Sequence, residues 1–261
     1  MILRGDCAII VLCEKNMNLW CFMKRLGIVV LFTAVCLWLS ACGTESLPVA
    51  TTAPEQVIEA AKTKNKVSVA REESFDYTDA NGNSYSAVYR IPSINFDSED
   101  AEKANSEITQ RYSTDFATAE RESAGRLSLT CDSLNYEKFE NDGVISVVIR
   151  RVYFSHAVDY TVYNFNSKTG AALSNDALAK KAGMSAEAAL KKLSSELEKD
   201  YVSKYKTAKP ERYEENLGKT LADENLAEAR YYLGKDGKLT AICKEFASVG
   251  TGEFSVVLSL N

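Results

Sequence analysis

Histidine is almost missing from this chain, with His156 the only one in 261 residues. Zinc sites of the common hydrolase kind take two or three histidines, so the chain cannot supply one. No CxxC pair occurs, which removes the usual sulfur-rich metal sites. A Ser-His-Asp arrangement would lack a GxSxG elbow to present its serine. Tryptophan is as scarce, and both Trp20 and Trp38 fall in the first 41 residues, leaving no indole beyond them to stack on a sugar ring. Nor is there a run of Lys or Arg interleaved with aromatics. Phosphate backbones need clustered positive charge, so nucleic acid is not an expected partner. Neither a metal nor a cofactor is expected.

What is present begins with an address. Lys24 and Arg25 precede an apolar run, Gly27 to Leu39, that is too short to span a bilayer comfortably and ends in small residues. Its ending, Leu39-Ser40-Ala41-Cys42, resembles a bacterial lipobox. There the chain is cut before the cysteine, whose thiol carries fatty acyl chains such as palmitate. The expectation is a signal peptide over 23–41 and a lipidated Cys42 on the outer face of the cell membrane; the alternative is an uncleaved membrane anchor. Residues 1–22 do not fit this grammar, since they place Asp6, Glu14 and three cysteines ahead of Met23. They read as a mis-assigned start, or as an extension with its own apolar stretch from Cys7 to Cys13.

The totals of 31 basic and 36 acidic residues include Arg4, Lys15, Lys24, Arg25, Asp6 and Glu14 from the leader. Without them, 27 basic residues face 34 acidic ones, a net charge near −7. That acidity favours a basic protein partner, and also simply keeps a protein soluble. Cys131 and Cys243 are the only cysteines after Cys42. In an exported chain they are either a disulfide or two buried thiols acting as small hydrophobes.

The remaining stretch of about 220 residues divides by composition. Residues 42–66 are rich in Thr, Ala, Ser and Pro and read as a flexible tether. A smaller α+β unit over 67–124 is expected to open with two alternating strands around Asp79-Ala80-Asn81-Gly82-Asn83, the second stopping at Pro92. Its helix is expected to be capped by Ser98 and to bury Ala101, Ala104, Ile108, Tyr112 and Phe116. A larger unit over 125–261 starts with strands turned at Asn141-Asp142-Gly143. A helix follows, capped by Ser185 and striped with Leu190, Leu193, Leu197, Tyr201 and Tyr205, and three closing strands run from Tyr231 to Leu258. Strands and helices segregate instead of alternating. The predicted class is α+β, with antiparallel sheets and helices packed on one face, in two adjacent sub-units.

Several motifs come close to a chemistry and miss. Asp79 to Asn83 begins like a calcium loop but has Ser84 at the sixth position and Arg90 at the twelfth, so a hairpin turn explains it better. Gly218-Lys219-Thr220 imitates the end of a phosphate loop, yet Tyr213 stands where its first glycine belongs. Gly250-Thr251-Gly252 is two glycines near a strand start. Asp97/Glu99 and Glu214/Glu215 could serve as acid–base pairs, although carboxylates at exposed helix ends are mostly solvated charge. All thirteen tyrosines follow Cys42, which suits strands and also an interaction surface.

Tyr89-Arg90-Ile91-Pro92 and the helix containing Asn105 resemble the smaller extracellular unit of lysozyme-sensing anti-sigma factors of the RsiV type. The same unit occurs in the non-catalytic half of peptidoglycan deacetylases of the PdaC type. Tyr153-Phe154-Ser155-His156-Ala157 and Tyr163-Asn164-Phe165-Asn166-Ser167-Lys168-Thr169-Gly170 are similar to the second unit of that pair. Ser155 replaces the family's frequent glycine there, and Asn166 its aspartate. The resemblance covers most of 67–260 and implies a fold and a recognition role without catalytic residues. The expectation is a lipid-anchored extracellular binding or sensing domain, with a basic lysozyme-like protein or peptidoglycan as partner. Tyr153, Phe154, His156 and Tyr160 are its candidate contact residues. The alternatives are an envelope hydrolase working through a carboxylate pair, and a purely structural lipoprotein.

Overall fold

The computed structural model describes residues 65–79, 81–125, 128–206, 212–249 and 252–260. The leader, Cys42, the tether up to residue 64, Leu127, Pro210, Gly250 and Thr251 lie outside the described residues. The fold is α+β. A five-stranded sheet has the order β1-β2-β3-β4-β5 and a three-stranded sheet the order β6-β7-β8.

Strands β1 (Val67–Thr78) and β2 (Ser84–Ile94) form the first hairpin. The Asp79 carboxylate turns back on its own loop and accepts the Asn81 and Asn83 backbone N–H groups at 2.9 and 2.8 Å, with Gly82 at φ +85°. The segment is a turn. β2 does not stop at Pro92 as expected but runs on to Ile94. Proline offers the ladder no N–H, and the strand passes it because β1 shifts register between Val69 and Arg71, beside the Val69–Pro92 pair.

Helix α1 (Glu99–Ala124) starts at Ser98, whose hydroxyl accepts the Ala101 N–H, with Glu99, Asp100 and Glu102 in the first turn. Its expected stripe is buried throughout and extends to Ala119. Phe116 meets Tyr89 and Phe75 edge-on at 5.7 and 6.3 Å, and the Arg71 guanidinium lies 4.0 Å from its ring centre. The two polar atoms of the Asn105 amide bond the N–H and C=O of Ile94, fixing the end of β2 against the helix.

After α1 the chain returns as β3 (Cys131–Asn141) parallel to β2, at Tyr89 and Leu134. This is one βαβ crossover, so the expectation of antiparallel sheets without such a unit is corrected: the larger sheet is mixed. β4 (Val144–Tyr153) and β5 (Val158–Asn166) follow antiparallel, β4 after the Asp142-Gly143 turn, both of whose residues have positive φ. One buried cluster runs from Val67 through α1 to Phe165. The expected boundary at 124/125 therefore falls inside one sheet and one core, because the crossover carries the chain back to the sheet it left.

The second core gathers Val144, helices α2 (Asn175–Lys181), α3 (Ala186–Tyr205) and α5 (Asp223–Ala227), and strands β6 (Arg230–Leu233), β7 (Leu239–Phe246) and β8 (Glu253–Ser259). Helix α4 (Tyr213–Thr220) precedes α5. α3 buries Ala189, Leu193, Leu197 and Tyr201; Leu190 is exposed, so the stripe is rotated from the expected one. β6 presents an edge to the larger sheet, and polar side chains cover it. Leu233 N–H donates to the Ser146 hydroxyl, the Asn164 amide donates to Tyr231 C=O, and Tyr231 N–H donates to the Asn175 amide oxygen. A strand edge buried in this way needs such partners.

Candidate functional site

The expected contact residues divide between two places. Tyr153, Phe154 and His156 sit in the β4–β5 connection. Tyr153 N–H donates to Ala157 C=O at 2.9 Å, and His156 N–H to Tyr153 C=O at 2.8 Å. His156 has φ +65°, an uncommon conformation for a residue with a side chain. Phe154 and His156 are exposed at this tip. Tyr153 is held from behind, its ring 4.8 Å from the Arg151 guanidinium. Arg151 bonds Asp159 at 2.8 Å and Asp115 at 3.1 Å. Burial pushes the Tyr153 hydroxyl above its ordinary pKa. Tyr160 lies further along β5, opposite Arg150, and belongs to a groove that none of the other three lines.

That groove has a volume of 750 Å3, within the range of ligand-binding clefts. β5 from Asp159 to Tyr163 is its floor. Consecutive residues of a strand point to opposite faces, so the strand's edge must be what they expose together. Helix α1 supplies one wall through Glu107 and Arg111, and the three-stranded sheet the other through Arg230, Ile242 and Lys244. A second hollow of 490 Å3 continues past Ala172 toward the start of α1 and shares Glu107, Val162, Tyr163 and Arg230 with the first.

The open edge follows from the register of β5. Ser167 N–H donates to Gly143 C=O at one end of the β4–β5 ladder, and Tyr153 N–H to Ala157 C=O at the other. Residues 159, 161, 163 and 165 therefore exchange hydrogen bonds with β4, and residues 158, 160, 162, 164 and 166 turn theirs outward. At the Gly170 end the outward groups are used. Leu173 N–H donates to Asn164 C=O, and Asn166 N–H to Ala171 C=O. Among the described residues, the N–H and C=O groups of Tyr160 and Val162 have no such partner.

Charge in the groove is mixed. Arg111 donates to the Thr161 hydroxyl oxygen at 2.7 Å, as does the Tyr112 hydroxyl at 2.8 Å. Lys244 pairs with Glu253 at 3.3 Å and Glu228 at 3.5 Å. Burial, then the Glu107 carboxylate beside it, pushes the Tyr163 hydroxyl far up, so it stays protonated at any ordinary pH. Arg230 is exposed and makes no ion pair among the described residues. It lines both hollows.

The cysteines do not bond. Both are free and buried, Cys131 in the first core and Cys243 in the second. The Cys131 thiol donates to Ser133 C=O at 3.3 Å, and burial pushes the Cys243 thiol up to about 12. The disulfide expectation is corrected in favour of two buried thiols, because the strands carrying them lie in different sheets. Among the described residues no three His, Cys, Asp or Glu side chains are placed to hold a metal ion, and no helix is long and apolar enough to cross a membrane.

Tyr160 is legible in the sequence, but the groove around it is not. Glu107, Arg111 and Arg230 belong to no motif and are not among the expected contact residues. Only sheet order shows that β5 is an edge. No family model matches the chain, and no curated protein matches it.

Proposed function

We propose that this chain is a lipid-anchored binding or sensing domain on the outer face of the cell membrane. Cys42 is its acylated N-terminus, and the groove along β5 is where it takes hold of a partner. The partner is a basic protein of the lysozyme kind or a wall polymer, bound and not transformed. The observation that carries this reading is the 750 Å3 groove built around an unpaired strand edge. It is joined by the lipobox-like Leu39-Ser40-Ala41-Cys42 and by the likeness to the extracellular unit of RsiV-type proteins. Two or three acyl chains, at about 0.8 kcal/mol per buried methylene, would give stable anchoring where one would not. The net charge near −7 beyond the leader steers a basic partner toward the domain and makes the encounter salt-sensitive.

The test uses the acylated protein from its host, incubated with labelled peptidoglycan and, separately, with lysozyme. Retention of either without released product supports the reading. Release of soluble wall fragments that stops on changing one carboxylate would replace it with the hydrolase. Cys42→Ala should abolish acylation and leave the precursor uncut; an intact Ala41–Cys42 bond in wild-type protein would mean that Cys42 carries no lipid anchor.

A further inference from the structure

We infer that the groove accepts an extended peptide segment of a partner protein, added as a sixth strand along β5, with a carboxylate side chain set against Arg230. The inference rests on the reading of the groove as a binding site and names what the site takes.

Backbone chemistry selects the occupant. Tyr160 and Val162 each turn one N–H and one C=O toward the groove, two residues apart, and neither pair is used among the described residues. Donors and acceptors alternating at that spacing are what another extended backbone presents, and main-chain pairing of this type is a recurring mode of peptide capture. Two neighbouring stretches are closed, the β6 edge by Ser146, Asn164 and Asn175 and the far end of β5 by the 171–173 segment. The outer edges of β1 and β8 also lack a neighbouring strand, but it is the open length of β5 that floors the groove.

Side chains then set the pattern along the peptide. A residue paired with Tyr160 or Val162 points its side chain to the same face as theirs, the face of the three-stranded sheet. There it meets Ile242, an apolar contact, and Arg230, an exposed cation that makes neither an ion pair nor a side-chain hydrogen bond among the described residues, whereas Arg111 on the opposite wall is bonded to Thr161. Lys244 on the same wall is already held by Glu228 and Glu253. The intervening residue points to α1, where Glu107 and Arg111 make a polar wall. The preferred segment therefore alternates, with apolar and acidic residues toward the small sheet and polar residues toward the helix.

The experiment is selection from a phage-displayed library of random dodecapeptides on the full acylated chain in detergent micelles. Enriched peptides are then synthesised and bound to wild type, Val162→Pro and Arg230→Glu. Val162 turns its N–H away from β4, so proline removes the outward donor and leaves the β4–β5 ladder bonded. Arg230→Glu is an exposed change that serves as the second variant, and the circular dichroism of both should match wild type. Strand addition predicts acidic, alternating peptides that slow hydrogen exchange at Tyr160 and Val162 on binding. It also predicts at least about tenfold weaker binding to each variant. No enrichment, or enriched peptides that bind both variants like wild type and leave those amides exchanging freely, would overturn it. Lysozyme or wall binding that survives Val162→Pro would overturn strand addition and leave the binding-domain reading in place. Peptide capture by a protein that retains neither lysozyme nor wall would do the reverse.

Discussion

Ser146 on β4 and Leu233 on β6 are joined across 87 positions of sequence, the serine hydroxyl accepting the Leu233 N–H at 3.2 Å while donating to the Asn164 amide oxygen at 2.7 Å. Ser146 is fully buried, so bulk water does not stand ready to replace it. The bond ties the edge of the small sheet to the large one. Ser146→Ala should leave a buried donor unsatisfied and cost about 1–3 kcal/mol, read from urea unfolding. A loss within error of zero would mean that the two sheets hold together without it.

Gly170 sets the other end of β5. Its φ is +71°, and a Cβ there would sit 2.7 Å from Phe96 Cγ and 2.8 Å from the Ser98 hydroxyl oxygen that caps α1. Gly170→Ala combines a left-handed backbone with overpacking, and the expected loss is about 3 kcal/mol. Gly82→Ala has the same backbone problem and no neighbour within 4 Å, so it should lose less. Equal losses would show that the close packing at Gly170 contributes nothing.

Much of this architecture is written locally. The α1 stripe follows from period, its start from Ser98, and the hairpin turns from Asn81-Gly82 and Asp142-Gly143, since each depends on residues a few positions apart. What stays hidden depends on distant partners. Tyr160 and Val162 read as any half-buried strand, because whether a strand lies inside or at the edge of a sheet is decided by the other strands. The β2–β3 crossover, which puts β1 at one edge and β5 at the other, leaves no signature beyond two strands and a helix. Leu190 misled the period count, because Ala189 faces the core as well and shifts the stripe.

The thiols give a redox prediction. Denaturing alkylation without reductant should label both Cys131 and Cys243 completely, and added reductant should leave thermal stability unchanged. A linked peptide containing both residues would contradict their placement in separate cores.

Glu245 gives a pH prediction. It is almost fully buried; its Oε1 pairs with Lys204 at 3.1 Å and its Oε2 has no partner. Burial raises its pKa from the ordinary 4.5 against the pull of Lys204, and Asp200, which also pairs with Lys204, raises it further. Its contribution to stability is then full below pH 4.5 and is lost as pH rises through the higher folded value. Glu245→Gln should flatten the melting-temperature profile above pH 4.5, and at pH 8 be at least as stable as wild type, because Lys204 keeps Asp200 at 2.6 Å. A large loss at pH 8 would show that the Lys204–Glu245 pair outweighs the cost of burying the charge.

If the domain binds an envelope partner through the β5 groove, calorimetry of the acylated protein against lysozyme and against solubilised peptidoglycan, at low and at moderate salt, for wild type and Val162→Pro, should register it. Saturable heat is expected with one of the two ligands, and at least about tenfold weaker binding to the proline variant. If the ligand is lysozyme, affinity should also fall as salt rises. No heat with either ligand at either salt, or continuous heat from turnover of the wall substrate, would contradict that binding.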